Sequence, residues 1–125
     1  MLVFAVLVAV AAAAVPAIAA VQKSASRAPS RMLVYAQEWS LWPSRTSLPS
    51  GAVIVQLSNR GMDAHDLRIR RLVHGHMTGR TQGVAVTQSG GLSQATWHLS
   101  PGRYVLYCSM PGHYKKGMHT QLVVR

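Results

Sequence analysis

The first twenty residues of the chain, MLVFAVLVAVAAAAVPAIAA, lack any charged side chain. The run ends in Ala17-Ile18-Ala19, a small-x-small cleavage site, and charged and turn residues follow it at once. We therefore predict a signal peptide over residues 1–19. The alternative is a retained membrane anchor, since about 20 apolar residues can just span a bilayer. Either alternative predicts an exported protein, in the periplasm or at the extracellular face of the membrane.

Cysteine is almost absent, because Cys108 is the single one in 125 residues. No intramolecular disulfide can therefore form. In an oxidising compartment an unpaired thiol is a liability unless something occupies it. Cys108 is then either a buried, inert side chain or a metal ligand, and its neighbours in the sequence decide between these two roles.

Acidic residues are scarce as well, with three against thirteen Lys and Arg, and the net charge is +10. The basic residues are scattered from Lys23 to Arg125, and neither a recognition helix nor a zinc-finger spacing accompanies them. This distribution argues against a nucleic-acid-binding protein. Two interpretations of the charge stay open: a solvated basic surface, or steering toward an acidic partner or an anionic membrane.

Sustained helical periodicity is also missing after residue 21. Residues 20–30 are small, polar and aperiodic, as in a flexible linker. From Met32 onward, short runs rich in β-branched and aromatic residues alternate with turn clusters such as Ser100-Pro101-Gly102. Residues 31–125 are therefore predicted to form one all-β domain, an antiparallel Greek-key β-sandwich of about seven to eight strands. The candidate strands are MLVYAQ, VIVQLS, DLRIRRLV, GVAVTQ, ATWHLS, RYVLYC and TQLVVR.

The C-terminal segment concentrates metal-binding side chains. Cys108, His113 and Met118 follow one another in the pattern Cys-x₄-His-x₄-Met, on one loop between two predicted strands. Thiolate and thioether ligands suit Cu(I), and imidazole suits both oxidation states of copper. A trigonal His₂Cys plane with a weak axial Met defines the blue-copper site. His65, which follows a turn at the start of another predicted strand, offers the missing imidazole.

These motifs resemble those of the cupredoxins, the group that includes plastocyanin, azurin, auracyanin and sulfocyanin. LSNRG followed by HDLRI, then LSPGRYVLYCSMPGHYKKGM, then QLVV, carry the resemblance over residues 31–125. The resemblance implies a Greek-key β-sandwich with one type 1 copper ion near one end. His65, Cys108 and His113 would be the equatorial ligands and Met118 the axial ligand.

The resemblance also implies a hydrogen bond between the residue after the upstream histidine and the ligand loop. In this chain that residue is Asp66, and Ser109 is the expected recipient. Such bonds fix the loops that carry the ligands. Many relatives carry Asn at this place, so an ionised Asp66 is expected to lower the reduction potential.

The other histidines do not share this support. His74-Gly75-His76 has the His-x-His form of multicopper oxidases, but those enzymes need several such pairs and a histidine on both sides of the cysteine. Tyr107 and Ser109 flank Cys108, which excludes a trinuclear cluster. We expect His74 and His76 to lie in a loop without a metal role.

Four amino-acid ligands with no open position leave no place for a substrate at the metal. The site therefore predicts single-electron transfer by Cu(II)/Cu(I) cycling and no enzymatic activity. The predicted exit is the edge of His113, within a patch of small and apolar residues. This patch has two basic neighbours in the sequence, Lys115 and Lys116, and we therefore expect an acidic redox partner protein. We expect the chain itself to be a monomer. The patch consists of Met110, Pro111, Gly112, Tyr114, Gly61 and Met62.

A second interpretation is an exported copper-binding protein for copper delivery or storage. Such proteins favour Met-rich, exposed sites that release the metal easily. Copper enzymes of the nitrite-reductase type need a second copper domain that this length cannot hold, and a binuclear copper centre needs two cysteines in the ligand loop.

Overall fold

The computed structural model describes residues 27–125; the predicted leader over residues 1–19 and most of the linker over residues 20–30 lie outside the described residues. Residues 27–125 form nine β-strands and no helix, so the prediction of an all-β domain is confirmed. Within this part of the chain, no helix is long and apolar enough to cross a membrane. The strands are β1 (Ser30–Gln37), β2 (Ser40–Pro43), β3 (Ser47–Leu48), β4 (Gly51–Asn59), β5 (His65–Val73), β6 (His76–Thr87), β7 (Leu92–Leu99), β8 (Gly102–Tyr107) and β9 (His119–Val124).

The strands form two sheets that pack face to face as a β-sandwich. One sheet has the order β2-β1-β4-β7 and the other the order β3-β9-β8-β5-β6. Alternate side chains of each central strand point into the space between the sheets, as in β4, where Val53, Val55 and Leu57 are fully buried. The period-2 hydrophobic pattern of the sequence therefore corresponds to the inner faces of the two sheets.

Two features of the sheets differ from the sequence prediction. β1 pairs with β4 in parallel, and β3 pairs with β9 in parallel, so both sheets are mixed and not purely antiparallel. In addition, the short strands β2 and β3 were not predicted. They have four and two residues, which is too short for a period-2 pattern to be recognised. β2 pairs with β1 across a turn of two residues, whereas β3 pairs with β9, which only the folded chain brings beside it.

The central strands of the second sheet bring the metal-binding side chains to one end. β5 begins at His65, β8 ends one residue before Cys108, and β9 begins one residue after Met118. β8 pairs with β5 on one side and with β9 on the other, antiparallel in both cases. The start of β5, the end of β8 and the start of β9 therefore meet at the same edge of the sheet.

Trp97 on β7 is the largest fully buried side chain of the core. Replacing it with alanine should lower the free energy of unfolding by about 3–5 kcal/mol, because the cavity that is left cannot fully collapse. Trp97→Phe should cost less, since the indole Nε1 has no hydrogen-bond partner among the described residues and its removal breaks no bond. Urea unfolding of the copper-free variants, followed by circular dichroism, measures both losses. An equal loss in the two variants would contradict this account of the core.

Candidate metal centre

Three ligand atoms converge at the end of the second sheet. The Nδ1 atoms of His65 and His113 are 3.1 Å apart, and the Cys108 Sγ lies 3.9 Å from the first and 3.4 Å from the second. All three residues are buried, and His113 alone retains measurable exposure, at 8%. Among the described residues they form the one group of at least three His, Cys, Asp or Glu side chains that could hold a metal ion.

The ligand loop between β8 and β9 is closed by its own backbone hydrogen bonds. The His113 amide donates to the Met110 carbonyl at 3.0 Å, and the Met118 amide donates to the His113 carbonyl at 3.1 Å. The Cys108 amide in turn donates to the Met118 carbonyl at 3.1 Å. Met118 itself is fully buried, like Cys108.

Two glycines permit the sharp turns of this loop. Gly112, directly before His113, has a φ of 79°, and Gly117, directly before Met118, has a φ of 110°. A residue with a Cβ is strained in this left-handed region, whereas glycine adopts it at no steric cost. In the PGH and GM motifs, the glycine permits the turn and the residue after it supplies the candidate ligand.

Burial sets the protonation of the candidate ligands. It raises the pKa of the Cys108 thiol above its ordinary value. Burial, and after it the neighbouring His65, lower the pKa of His113. At neutral pH the imidazole of His113 is therefore neutral and has a lone pair available, while the metal-free thiol keeps its proton. A metal ion that binds here must displace that proton.

Asp66 connects β5 to the ligand loop, which confirms the hydrogen bond expected between it and Ser109. Its Oδ1 accepts a bond of 2.6 Å from the Ser109 amide, and its Oδ2 accepts a bond of 2.5 Å from the Ser109 hydroxyl. Arg68 donates to the same Oδ2 at 2.8 Å. Burial raises the pKa of Asp66, but the bonds from Ser109 and then Arg68 outweigh this effect and lower it, so the carboxylate is ionised.

Sequence reasoning missed two residues of this site, Glu38 and Trp39, which follow β1 directly. The Glu38 Oε1 lies 3.0 Å from the Nε2 of His65, on the side of the ring away from the other candidate ligands. The Trp39 ring packs edge-on against His113, with 4.8 Å between the centroids. Glu38 precedes His65 by 27 residues, and no spacing motif joins them. The scarcity of acidic residues was the one signal that could have singled out Glu38.

The hydrogen bond that Glu38 accepts from the Asp63 amide is the main reason why the pKa of Glu38 is lowered to about 2. The bond is 2.8 Å long and reaches the same Oε1 that faces His65. Glu38 is therefore a carboxylate at neutral pH, and a carboxylate can only accept hydrogen bonds. His65 consequently carries its proton on Nε2, which leaves the lone pair of Nδ1 for a metal.

His74 lies in the turn after β5, and His76 is the first residue of β6, at the end of β5 opposite to His65. Both are exposed, and His74 has a φ of 48°. The predicted loop position is therefore right for His74, whereas His76 begins a strand.

The three converging atoms fit one metal ion. A triangle with sides of 3.1, 3.4 and 3.9 Å has its centre about 2 Å from each corner, close to the metal bond lengths of about 2.0–2.3 Å known for histidine nitrogen and cysteine sulfur with zinc. Two imidazoles and a thiolate, with a buried thioether on the same loop, are the ligand types of blue copper.

No family model matches the sequence, and no curated protein sequence is significantly similar to it. Solved structures are similar in fold. Auracyanin A, a "blue" copper protein from the green thermophilic photosynthetic bacterium Chloroflexus aurantiacus, shares 16% identity at a TM-score of 0.62, over 78% of this chain and 100% of its own. Rusticyanin from Thiobacillus ferrooxidans shares 20% identity at a TM-score of 0.57, over 78% of this chain and 79% of its own.

A multicopper oxidase is also similar, with 12% identity at a TM-score of 0.57, over 79% of this chain and 45% of the oxidase. The similar fold therefore makes up the whole of auracyanin A and less than half of the oxidase. The chain has the cupredoxin fold, and His65, Cys108, His113 and Met118 form in it a candidate site that matches a blue-copper centre.

Proposed function

We propose that this chain is a mononuclear type 1 copper protein that carries single electrons between redox partners outside the cytoplasm. The observation that carries the proposal is the convergence of the His65 and His113 Nδ1 atoms and the Cys108 Sγ within 3.9 Å of one another in a buried site. When bound, copper supplies a one-electron Cu(II)/Cu(I) couple.

The residues around the site support electron transfer and not substrate turnover. The candidate ligands are buried on elements that pair tightly, and Asp66 ties β5 to the residue after Cys108 with two hydrogen bonds. Ligands fixed in this way change position little when the charge at the centre changes. The same burial argues against copper delivery or storage, the alternative function, because a carrier that hands over its metal needs accessible ligands.

The surface beside His113 is suited to docking another protein. Met62 is 85% exposed and Tyr114 39% exposed, and both belong to the apolar patch that surrounds the predicted electron exit. His113 itself reaches the surface with 8% of its area. An apolar contact of this kind brings a partner's redox centre close to the imidazole edge and excludes water between the two proteins.

We further propose that the partner is acidic and that the chain acts as an exported monomer. Lys115 and Lys116 are exposed two and three residues after His113. The Lys116 Nζ lies 3.8 Å from the centroid of the Trp39 ring and is thereby held beside the patch, whereas Lys115 makes no such contact. Charges placed around a docking patch mainly accelerate association with partners of opposite charge.

The first prediction concerns the thiolate. Oxidised protein should bind one copper ion per chain and show intense blue colour from thiolate-to-copper charge transfer. Cys108→Ser should abolish this colour, because a hydroxyl is a much poorer charge-transfer donor. Visible absorption and metal analysis of the copper-loaded proteins measure both effects. A variant that remains blue would refute the assignment of Cys108.

A second prediction concerns the axial position. Met118→Leu should keep the copper and the blue colour but raise the reduction potential, because the loss of a weak donor disfavours Cu(II). Met118→Gln should lower the potential, since an amide oxygen favours Cu(II). Voltammetry of the three proteins at one pH provides the comparison. If the leucine variant has the wild-type potential, Met118 is not the axial ligand.

Another prediction concerns docking. Electron transfer to an acidic partner should slow as salt rises, since exposed charges are screened over about 10 Å at 0.1 M ionic strength. Lys115→Glu should slow it at low salt and leave the visible spectrum intact. Arg80→Glu is the matched control, because it makes the same charge change on β6, away from the ligand loop. Stopped-flow rates in a salt series measure the effect, and equal slowing by both variants would count against steering at the patch.

A further inference from the structure

The Glu38 carboxylate contacts one candidate ligand, His65, on the side of the ring that faces away from the other ligands. Its Oε1 is 3.0 Å from the His65 Nε2, while the Nδ1 of the same ring faces Cys108 and His113. The imidazole of His65 thus connects the carboxylate on one side with the candidate metal position on the other.

The surrounding residues hold this carboxylate in place. The Asp63 amide donates to the Oε1 of Glu38 at 2.8 Å. Gly61 lies so close that a Cβ at this position would overlap the Glu38 carboxylate. Its amide donates to the Asn59 Oδ1 at 2.9 Å, which fixes the turn that makes the space. A side chain at residue 61 would therefore displace the Glu38 carboxylate from its place beside the turn between β4 and β5.

Glu38 carries a negative charge in a strongly basic chain. Glu38 is one of three acidic residues in a chain of net charge +10. Among the described residues no lysine or arginine forms an ion pair with it, whereas Asp66 pairs with Arg68. The Glu38 side chain is 24% exposed, so solvent does not fully screen it. The Oε1 of this carboxylate contacts the His65 ring and the Asp63 amide.

We propose that Glu38 is a positioning residue that acts on the metal through His65 and stabilises the oxidised form of the centre. This inference rests on the proposed copper function. A carboxylate bonded to the distal nitrogen of a ligating histidine fixes the orientation of the ring and increases the basicity of the ligating nitrogen. The more highly charged Cu(II) gains more from this than Cu(I), so the carboxylate lowers the reduction potential.

Glu38→Gln tests the proposal. The amide has the same shape, and its oxygen can still accept hydrogen bonds from His65 and from the Asp63 amide, so the change removes the charge and little else. Loss of such an outer partner typically weakens metal binding by about 10-fold to 100-fold. We expect the ratio of Cu(II) to Cu(I) affinity to fall about tenfold, which raises the potential of a one-electron couple by about 59 mV.

The matched control is Asp63→Asn, which removes one negative charge from an exposed side chain of the adjoining turn. The measurements are the reduction potential, the affinities for Cu(II) and Cu(I) in competition with chelators, and the NMR signal of the His65 Nε2 proton in the reduced protein. We expect Glu38→Gln to raise the potential and shift this proton signal, and Asp63→Asn to do neither to a comparable extent.

Two results would overturn the inference. An unchanged potential and proton signal in Glu38→Gln would mean that Glu38 only ties the turn to β1. An equal shift in the control variant would mean that the charge acts through space and not through His65. Failure of the proposed function is distinguishable from both, because the wild-type protein would then bind no copper or show no blue colour.

Discussion

The hydrogen bonds from Ser109 to Asp66 join the two segments that carry the candidate ligands. His65 and Cys108 are 43 residues apart in the sequence, and their ligand atoms lie 3.9 Å apart in the structure. Pairing of β5 with β8 brings the two strands together, but this pairing spans Arg68 to Arg71 and ends before the site. The bonds to Asp66 continue the connection beyond the last strand pair. Without them, the thiol would depend on its own loop for its position.

Burial and hydrogen bonding act in opposite directions at this end of the sandwich. Burial favours neutral side chains, as seen in the shifted pKa values of Cys108 and His113. Glu38 and Asp66 stay ionised because backbone amides, and for Asp66 also a hydroxyl and Arg68, donate to them. The site therefore combines neutral metal-binding atoms with fixed negative charges one bond further out. This arrangement suits a cation that gains charge when it is oxidised.

The acidic and basic residues of the chain are also arranged unevenly around the candidate metal centre. All three acidic residues lie in or beside the segments that surround His65, while the basic residues are spread over the rest of the surface. In the proposed function, the net positive charge attracts an acidic partner and the small apolar patch beside His113 makes the contact. In this proposal, the long-range attraction and the close contact use different residues.

The sequence by itself determined the fold class and the candidate ligands. The strands that carry the core have a clear period-2 pattern, and the spacing of Cys108, His113 and Met118 is a local property of one loop. His65 could be identified in the sequence because it follows a turn at the start of a predicted strand. The contact between Asp66 and Ser109 was predicted from the family resemblance.

The parallel strand pairings and the residues around the ligands were decided only by the tertiary structure. They depend on contacts between segments that share no sequence pattern. The parallel pairings of β1 with β4 and β3 with β9 join edges that are distant along the chain. Glu38 and Trp39 reach the two histidines from the turn after β1, and a single acidic or aromatic residue in a turn carries no periodicity. A short motif can specify which atoms bind a metal, but the surroundings that tune those atoms are assembled from the whole fold.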